Sequence, residues 1–170
     1  MNVFDAIKKR SSVRSFMDKA VEEDKLRAVL EAGRLAPSAN NLQEWRFIIV
    51  KDHEIKKKLA FAANGQMFVG EAPVVIVACA VTDERVMSCG QLCYSIDVAI
   101  ALDHISLAAV EAGLGTCWIG AFNEKKVKEI LAIPEDVRVV QMMPIGYPVY
   151  VNVGEKNRLN FEKIVKFDHW

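Results

Sequence analysis

Apolar positions recur along this chain with two different periods, and the changes between them mark out its elements. Val3, Phe4 and Ile7 share one face of a short helix, 3–9, opened by Asn2 and Asp5. Across 22–35 the residues Leu26, Val29, Leu30 and Gly33 fall at helical spacing, with acids in the first turn and Pro37 just beyond. Residues 46–51 read as a strand, and Asp52 caps a basic helix running through Phe61. The run PVVIVACAV at 73–81 is continuously apolar, the pattern of a strand buried on both faces. A long element lies within 88–112, and between Ile96 and Val110 nearly every face is apolar, so the helix must be covered on all sides. Gly113 and Gly115 stop it. A short strand at 116–120, a helix capped by Asn123 and running through Leu131, and a strand at 138–146 closed by Gly-Tyr-Pro follow. The tail, 151–170, carries Phe161, Ile164, Val165, Phe167 and Trp170, and must dock somewhere. No repeat or linker divides the sequence. Helices alternating with at least four strands predict a layered α/β sandwich with helices on both faces of the sheet.

Composition narrows the class. A chain of 170 residues and 19.0 kDa suits one domain, 1–170. Its expected folded area is about 8,400 Å² against roughly 27,500 Å² unfolded, which allows a real core without staples. Hydrophobic residues at 52% and charged residues at 26% exclude a disordered chain. Lys plus Arg (22) balances Asp plus Glu (22), so the basic excess of a nucleic-acid binder is missing. Zero net charge beside this much apolar material also points to self-association. The N-terminus lacks the apolar core of a secretory signal, and the most apolar stretches are short or interrupted by Asp97, Asp103, His104 and Glu111. Four cysteines are too sparse for a disulfide framework, so the expectation is a cytoplasmic protein with reduced thiols and no membrane span.

Three local features carry candidate chemistry. Arg10, Ser11, Ser12 and Arg14 place two guanidinium forks and two hydroxyls within five residues, which suits a phosphate as well as a solvated turn. The segment APSANNLQEW, 36–45, is dense in amides that can read a heterocyclic edge, or is simply a helix-to-strand connection. GLGTCWIGAF, 113–122, has small residues where a backbone can approach a flat ligand, but it is not the G-x-G-x-x-G of a dinucleotide loop. Cys89, Cys93, Asp97 and His104 lie near one helical stripe. Their spacing is not that of a tetrahedral metal site, and buried packing is the simpler reading, with no metal assigned. Met142, Met143 and Trp118 read as core.

Taken together, RSSVRSF (10–16), APSANNLQEW (36–45), GLGTCWIGAF (113–122) and PIGYP (144–148) resemble the nitroreductase family of FMN-dependent oxidoreductases. The resemblance implies a three-layer α/β/α sandwich around a mixed, mainly antiparallel sheet. It further implies an intertwined homodimer with FMN at the subunit interface and the tail, 151–170, wrapping the partner. On it, Arg10, Ser11, Ser12 and Arg14 hold the FMN phosphate, ribityl chain and N1/O2 edge. Pro37, Ser38, Ala39 and Asn41 lie against the partner's isoalloxazine, and Asn64 and Gln66 serve the pyrimidine end. Ile119, Gly120 and Ala121 run beside N5. Arg158, with Lys156 as a weaker candidate, closes on the phosphate.

The physical reading agrees: a phosphate of about two negative charges needs paired cations when buried, and a cation such as Arg14 near N1 favours the reduced ring. The implied activity is ping-pong hydride transfer through flavin N5, from NAD(P)H to an electron-poor acceptor such as a nitroaromatic or quinone. No side-chain acid, base or nucleophile is required. A non-catalytic flavin-binding or sensory module, and a specialised family reductase such as a dehalogenase, are the alternative readings. Two departures stand out, Glu44 where the family usually has Pro and Met67 where larger members place a Lys. The chain is also short for the family.

Overall fold

The organising element is the all-apolar strand β2, Val74–Val81, which is buried along seven of its eight residues because it faces two layers at once. In the computed structural model, which describes residues 1–151, 154 and 156–170, alternate residues of β2 enter two separate cores. Val74, Ile76, Ala78 and Ala80 pack against α2 (Glu23–Arg34) and α5 (Cys93–Glu111) through Leu26, Val29, Val98, Leu102 and Ile105. Val75, Val77 and Cys79 face the other way, onto α3 (His53–Ala62), α4 (Phe68–Glu71) and α6 (Glu124–Leu131) through Leu59, Ala60, Val69 and Val127. The period of two in β2 thus builds the three layers directly.

The sheet has the order β1-β2-β4-β3, with β1 at Trp45–Val50, β4 at Val137–Gly146 and β3 at Gly115–Thr116, and all three pairings are antiparallel. Among the described residues, the one parallel link joins Ser12 to Thr116, reinforced by Val13 N–H donating to Thr116 O at 2.9 Å. The strand expected at 116–120 is shorter than its sequence implied. Regular pairing covers only Gly115 and Thr116, and the chain rejoins β4 at Ile119, which exchanges hydrogen bonds with Met142 at 2.9 and 3.2 Å. Gly115 and Gly146 sit where a Cβ would overlap Val13 and the Pro73 ring, so close approach of neighbouring segments demands glycine there. Short α1 (Val3–Lys9) begins at Asn2, whose side chain accepts from Asp5 N–H as expected of an N-cap.

Helix α5 ends in a Schellman turn: Gly113, at φ +76°, donates to Val110 O, and Leu114 donates to Ala109 O at 2.7 Å. Its 19 residues and mean hydropathy of 1.5 meet the length and composition of a membrane-crossing helix. Val98, Leu102 and Ile105 are nevertheless fully buried against the sheet and α2, so within this fold it is a core helix. Its other face, around Ile96, Ala99, Ile100 and His104, lines a surface groove. Among the described residues of the tail, Lys156 reaches α1, but the large apolar side chains that the sequence pattern said must dock somewhere stay uncovered on their own chain. Leu159, Phe161, Ile164, Phe167 and Trp170 are all exposed, the last completely, and α7 is a single turn at Phe161–Ile164. Val3 and Phe4 on α1 are likewise exposed. Residues 152, 153 and 155 of the tail fall outside the described residues.

Tyr147, just past β4, fastens the start of α2. Its hydroxyl donates to Glu22 and accepts from Lys25 Nζ at 2.7 Å, while Lys19 lies 3.9 Å from its ring centroid. The Tyr147 hydrogen bond, followed by a backbone bond, pulls the Glu22 carboxyl down from 4.5 to about 2. A carboxyl depressed in the fold stabilises it above its unfolded pKa, and that contribution is lost as pH falls toward the folded value. Tyr147→Phe should therefore lower the melting temperature at pH 7. The gap to wild type should close between pH 4.5 and 2, as read by circular-dichroism melts across that range.

Candidate functional site

The two ends of the chain meet at a polar cavity of about 330 Å³. From one side it is lined by Lys8, Lys9, Arg10, Ser11 and Ser12, where α1 ends and the chain turns toward β3; from the other, by Gly154, Lys156, Asn157 and Arg158. Five of these are cations, and no carboxylate occurs among the described lining residues. Lys156 Nζ donates to Ile7 O at 2.5 Å, placing an ammonium at the negative end of α1. Burial, then repulsion from Arg10 and Arg158, holds the Lys156 pKa below its ordinary value. Cations that face one another under partial burial make a site that an anion stabilises, and guanidinium forks beside hydroxyls match the oxygens of a phosphate. Arg10, Ser11, Ser12, Lys156 and Arg158, picked out from opposite ends of the sequence, are thus brought together. Arg14 is exposed and does not line the cavity.

From this cavity the segment 115–121 runs as a strip toward a second cluster. Gly115 lies against Val13, Thr116 bridges Ser12, and the buried Cys117 thiol feels Arg14, the Ser12 hydroxyl and Arg10. Burial outweighs these and pushes the thiol pKa up, which makes Cys117 a packing residue rather than a nucleophile. Ile119 is buried, whereas Gly120 and Ala121 are exposed. At the far end Gln66 Nε2 donates to Ala63 O at 3.0 Å and to Ala121 O at 3.3 Å, tying the turn after α3 to the strip. Asn64, at φ +57°, and Gly65, at φ +75°, form that turn with Asn64 exposed. Gln66 is thereby joined to the strip at Ala121, with Asn64 two residues away in the same turn. Gln141, whose amide lies beside Gly120, was not foreseen.

The loop 36–45 lies elsewhere, over the start of α5. Asn41 N–H donates to Ser38 O, and Gln43 N–H to the Ser38 hydroxyl, both at 3.0 Å; Asn40, Asn41 and Gln43 all have positive φ. Ala39 N–H donates to Asp97 Oδ2 at 3.0 Å, and Asp97 is 4% exposed. Pro37 and Asn41 are exposed, and Ser38 and Ala39 half-buried. Within one chain these residues are not among the described lining of the cavity formed by 8–12 with Gly154, Lys156, Asn157 and Arg158. Glu44 turns inward: it is buried, and its Oε2 has no hydrogen-bond partner. The stripe of Cys89, Cys93, Asp97 and His104 is not one cluster. Cys89 is exposed ahead of α5, Cys93 is buried, Asp97 serves the loop, and no three His, Cys, Asp or Glu side chains converge among the described residues.

The family sequence model described as "Nitroreductase family" matches residues 7–94 and 61–147 of the chain. A protein of Archaeoglobus fulgidus, named as an NADH dehydrogenase/NAD(P)H nitroreductase, is 34% identical over 143 residues, covering 82% of this chain and 81% of its own. The "FMN reductase [NAD(P)H]" of Bacillus subtilis is 31% identical over 163 residues, covering 86% of this chain and 66% of its own. The crystal structure of a nitroreductase family protein from Clostridium novyi NT superposes with a TM-score of 0.83 at 40% identity, covering 87% of this chain and 86% of the other.

Proposed function

Because the chain belongs to the nitroreductase family of NAD(P)H oxidoreductases, we propose that it binds FMN and passes reducing equivalents from NAD(P)H to an electron-poor acceptor, nitroaromatic or quinone-like. The observation that carries this reading is the cationic cavity closed by both ends of the chain. Its residues fit the group: Arg10 and Arg158 offer forks to the phosphate, Lys156 adds charge, and Ser11 and Ser12 offer hydroxyl donors. The strip 119–121, with Asn64 and Gln66 at its end, offers backbone and amide groups to the ring edge, and Arg14 is close enough to act electrostatically on Cys117 of the same segment. When bound, FMN supplies the hydride chemistry at N5. The protein's part is to hold the phosphate, orient the ring and bias its charge, which accounts for a site without acid, base or nucleophile.

The working unit on this proposal is a homodimer. The exposed apolar residues of α1, the groove on α5 and the tail from Leu159 to Trp170 form surfaces that one chain leaves open to water. The accessible area of 10328 Å² exceeds the roughly 8,400 Å² expected for a folded chain of this mass, in keeping with material meant for an interface. A second groove, about 1150 Å³, runs between α2 and the outer edge of β1, floored by Leu26, Leu30, Trp45, Phe47 and Ile49. It offers an apolar tail both a floor and an unpaired strand edge. Through the dimer the loop 37–41 reaches the partner's flavin. One domain spanning 1–170, with its tail laid over the partner, and a cytoplasmic location complete the proposal.

The test is optical and kinetic. The purified protein should show flavin bands, release FMN on denaturation, and bleach anaerobically with NADH or NADPH. Double-reciprocal plots against both substrates should then be parallel. A colourless protein that takes up no added FMN overturns the proposal. Bound flavin that neither nucleotide reduces favours the non-catalytic module instead.

A further inference from the structure

The geometry points to Asp97 as a positioning residue for the cofactor, acting through the loop 37–43; this rests on the proposed function. Asp97 stands in a helix turn otherwise given to Ile96, Val98 and Ile100, and it is 4% exposed. A carboxylate so placed is costly unless it is hydrogen-bonded. Its Oδ2 accepts from Ala39 N–H at 3.0 Å. Among the described residues, this is the one hydrogen bond joining 37–43 to a segment distant in sequence; Arg46 Nη1, from the adjoining β1, donates to Gln43 O, and the loop's other bonds lie within it.

That tie matters because the loop holds a conformation it would not choose alone. Asn40, Asn41 and Gln43 have φ of 51°, 57° and 52°, on either side of a right-handed Leu42, and positive φ is disfavoured for non-glycine residues. Ser38 supplies two local bonds, but these fix the turn's shape and not its place on the protein. Asp97 fixes the place. Without it the loop spends only a fraction of its time where a flavin of the partner subunit can meet Asn41, and apparent affinity falls by that fraction. Since Asp97 lies beside Ile96 and Ile100 of the exposed α5 groove, one helix both shapes the interface and aims the loop.

The same bond can be removed from either end. Asp97→Ala deletes the acceptor. Ala39→Pro deletes the donor while leaving α5 intact, and proline is compatible there because Ser38 is already extended at φ −143°, ψ 158°. Hydrogen exchange on the FMN-free protein should show the Asn41 and Gln43 amides losing protection in both variants, with the Leu102 amide unchanged. FMN dissociation constants should rise about tenfold or more in each variant, as expected for a hydrogen bond to a charged group, and the double variant should be little worse than either. Asp97→Asn, which keeps an acceptor oxygen, should recover affinity to within about fivefold of wild type.

Unchanged exchange at Asn41 and Gln43, fully additive losses, or an Asp97→Asn protein as weak as Asp97→Ala would overturn the assignment. If Asp97→Ala does not fold, Ala39→Pro decides alone. Should the wild-type protein bind no FMN, the proposed function falls while the exchange experiment still judges the anchor.

Discussion

Replacing Arg158 by alanine should weaken FMN binding by about 10²-fold or more, and Arg10→Ala should do the same. Each guanidinium can give a phosphate two charge-assisted hydrogen bonds of about 1.5–3 kcal/mol apiece, and 1.4 kcal/mol is a factor of ten in affinity. The two come from opposite ends of the chain and face one cavity. Their losses should therefore couple, leaving the double variant colourless after gel filtration. Arg158→Lys keeps the charge without the fork and should fall between wild type and Arg158→Ala. Lys58→Ala, on the exposed outer side of α3, removes one positive charge and should leave affinity untouched. Quenching of free FMN fluorescence measures all five. Full affinity in Arg10→Ala and Arg158→Ala would move the phosphate away from this cavity.

Truncation after Arg158 should have the second large effect. It removes Leu159, Phe161, Ile164, Phe167 and Trp170, all exposed on their own chain, while keeping the cavity cations. Burying a large apolar side chain stabilises by about 1.5–3 kcal/mol, so five such residues laid on a partner supply much of a dimer's association energy. Light scattering should find the full chain at twice 19.0 kDa and the truncated one increasingly at 19.0 kDa on dilution. Flavin should leave in step with dissociation, because the loop 37–41 then no longer faces a partner's site. A truncated protein that remains dimeric at nanomolar concentration would exclude the tail as the clasp.

Much of this fold was readable from periodicity because its elements have unmixed environments. The nine-residue apolar run at 73–81 became β2, covered on both faces, and the all-round apolar α5 became the central helix. Asn2, Asp52 and Asn123 each cap the helix they were expected to begin. Where neighbouring segments decide the outcome, the local pattern failed. The 116–120 strand breaks after Thr116 because its pairing must accommodate both the Ser12 bridge and the return to Met142. The single turn α4 leaves too few residues for a period to register, and it is closed by Lys56 Nζ donating to Ala72 O, a contact from another helix.

At the candidate site, Arg10, Ser11, Ser12 and Arg14 were legible as residue types suited to phosphate, though Arg14 does not line the cavity, and only the family resemblance added Arg158 from the other end of the chain. Asp97 was visible as one of the charged residues interrupting the apolar helix, but its partner is a backbone amide 58 residues away, which no side-chain pattern reports. Glu44 was marked as a departure from the family; its burial depends on how loop and strand close over it.

The cavity built from the two chain ends also fixes an order of events. Residues 8–12 are almost the whole sequence away from Gly154, Lys156, Asn157 and Arg158, and Ser12 is bridged to Thr116 of β3, which is itself paired with β4. Contacts of such separation form late in folding and are among the first to open, since the loop-closure entropy must be met before they return anything. A ligand that grips both ends then acts as a clasp on the finished chain, raising its stability with free concentration as RT ln(1 + [L]/Kd). The yellow colour of a flavin held there would report that the last stitch of the fold is in place.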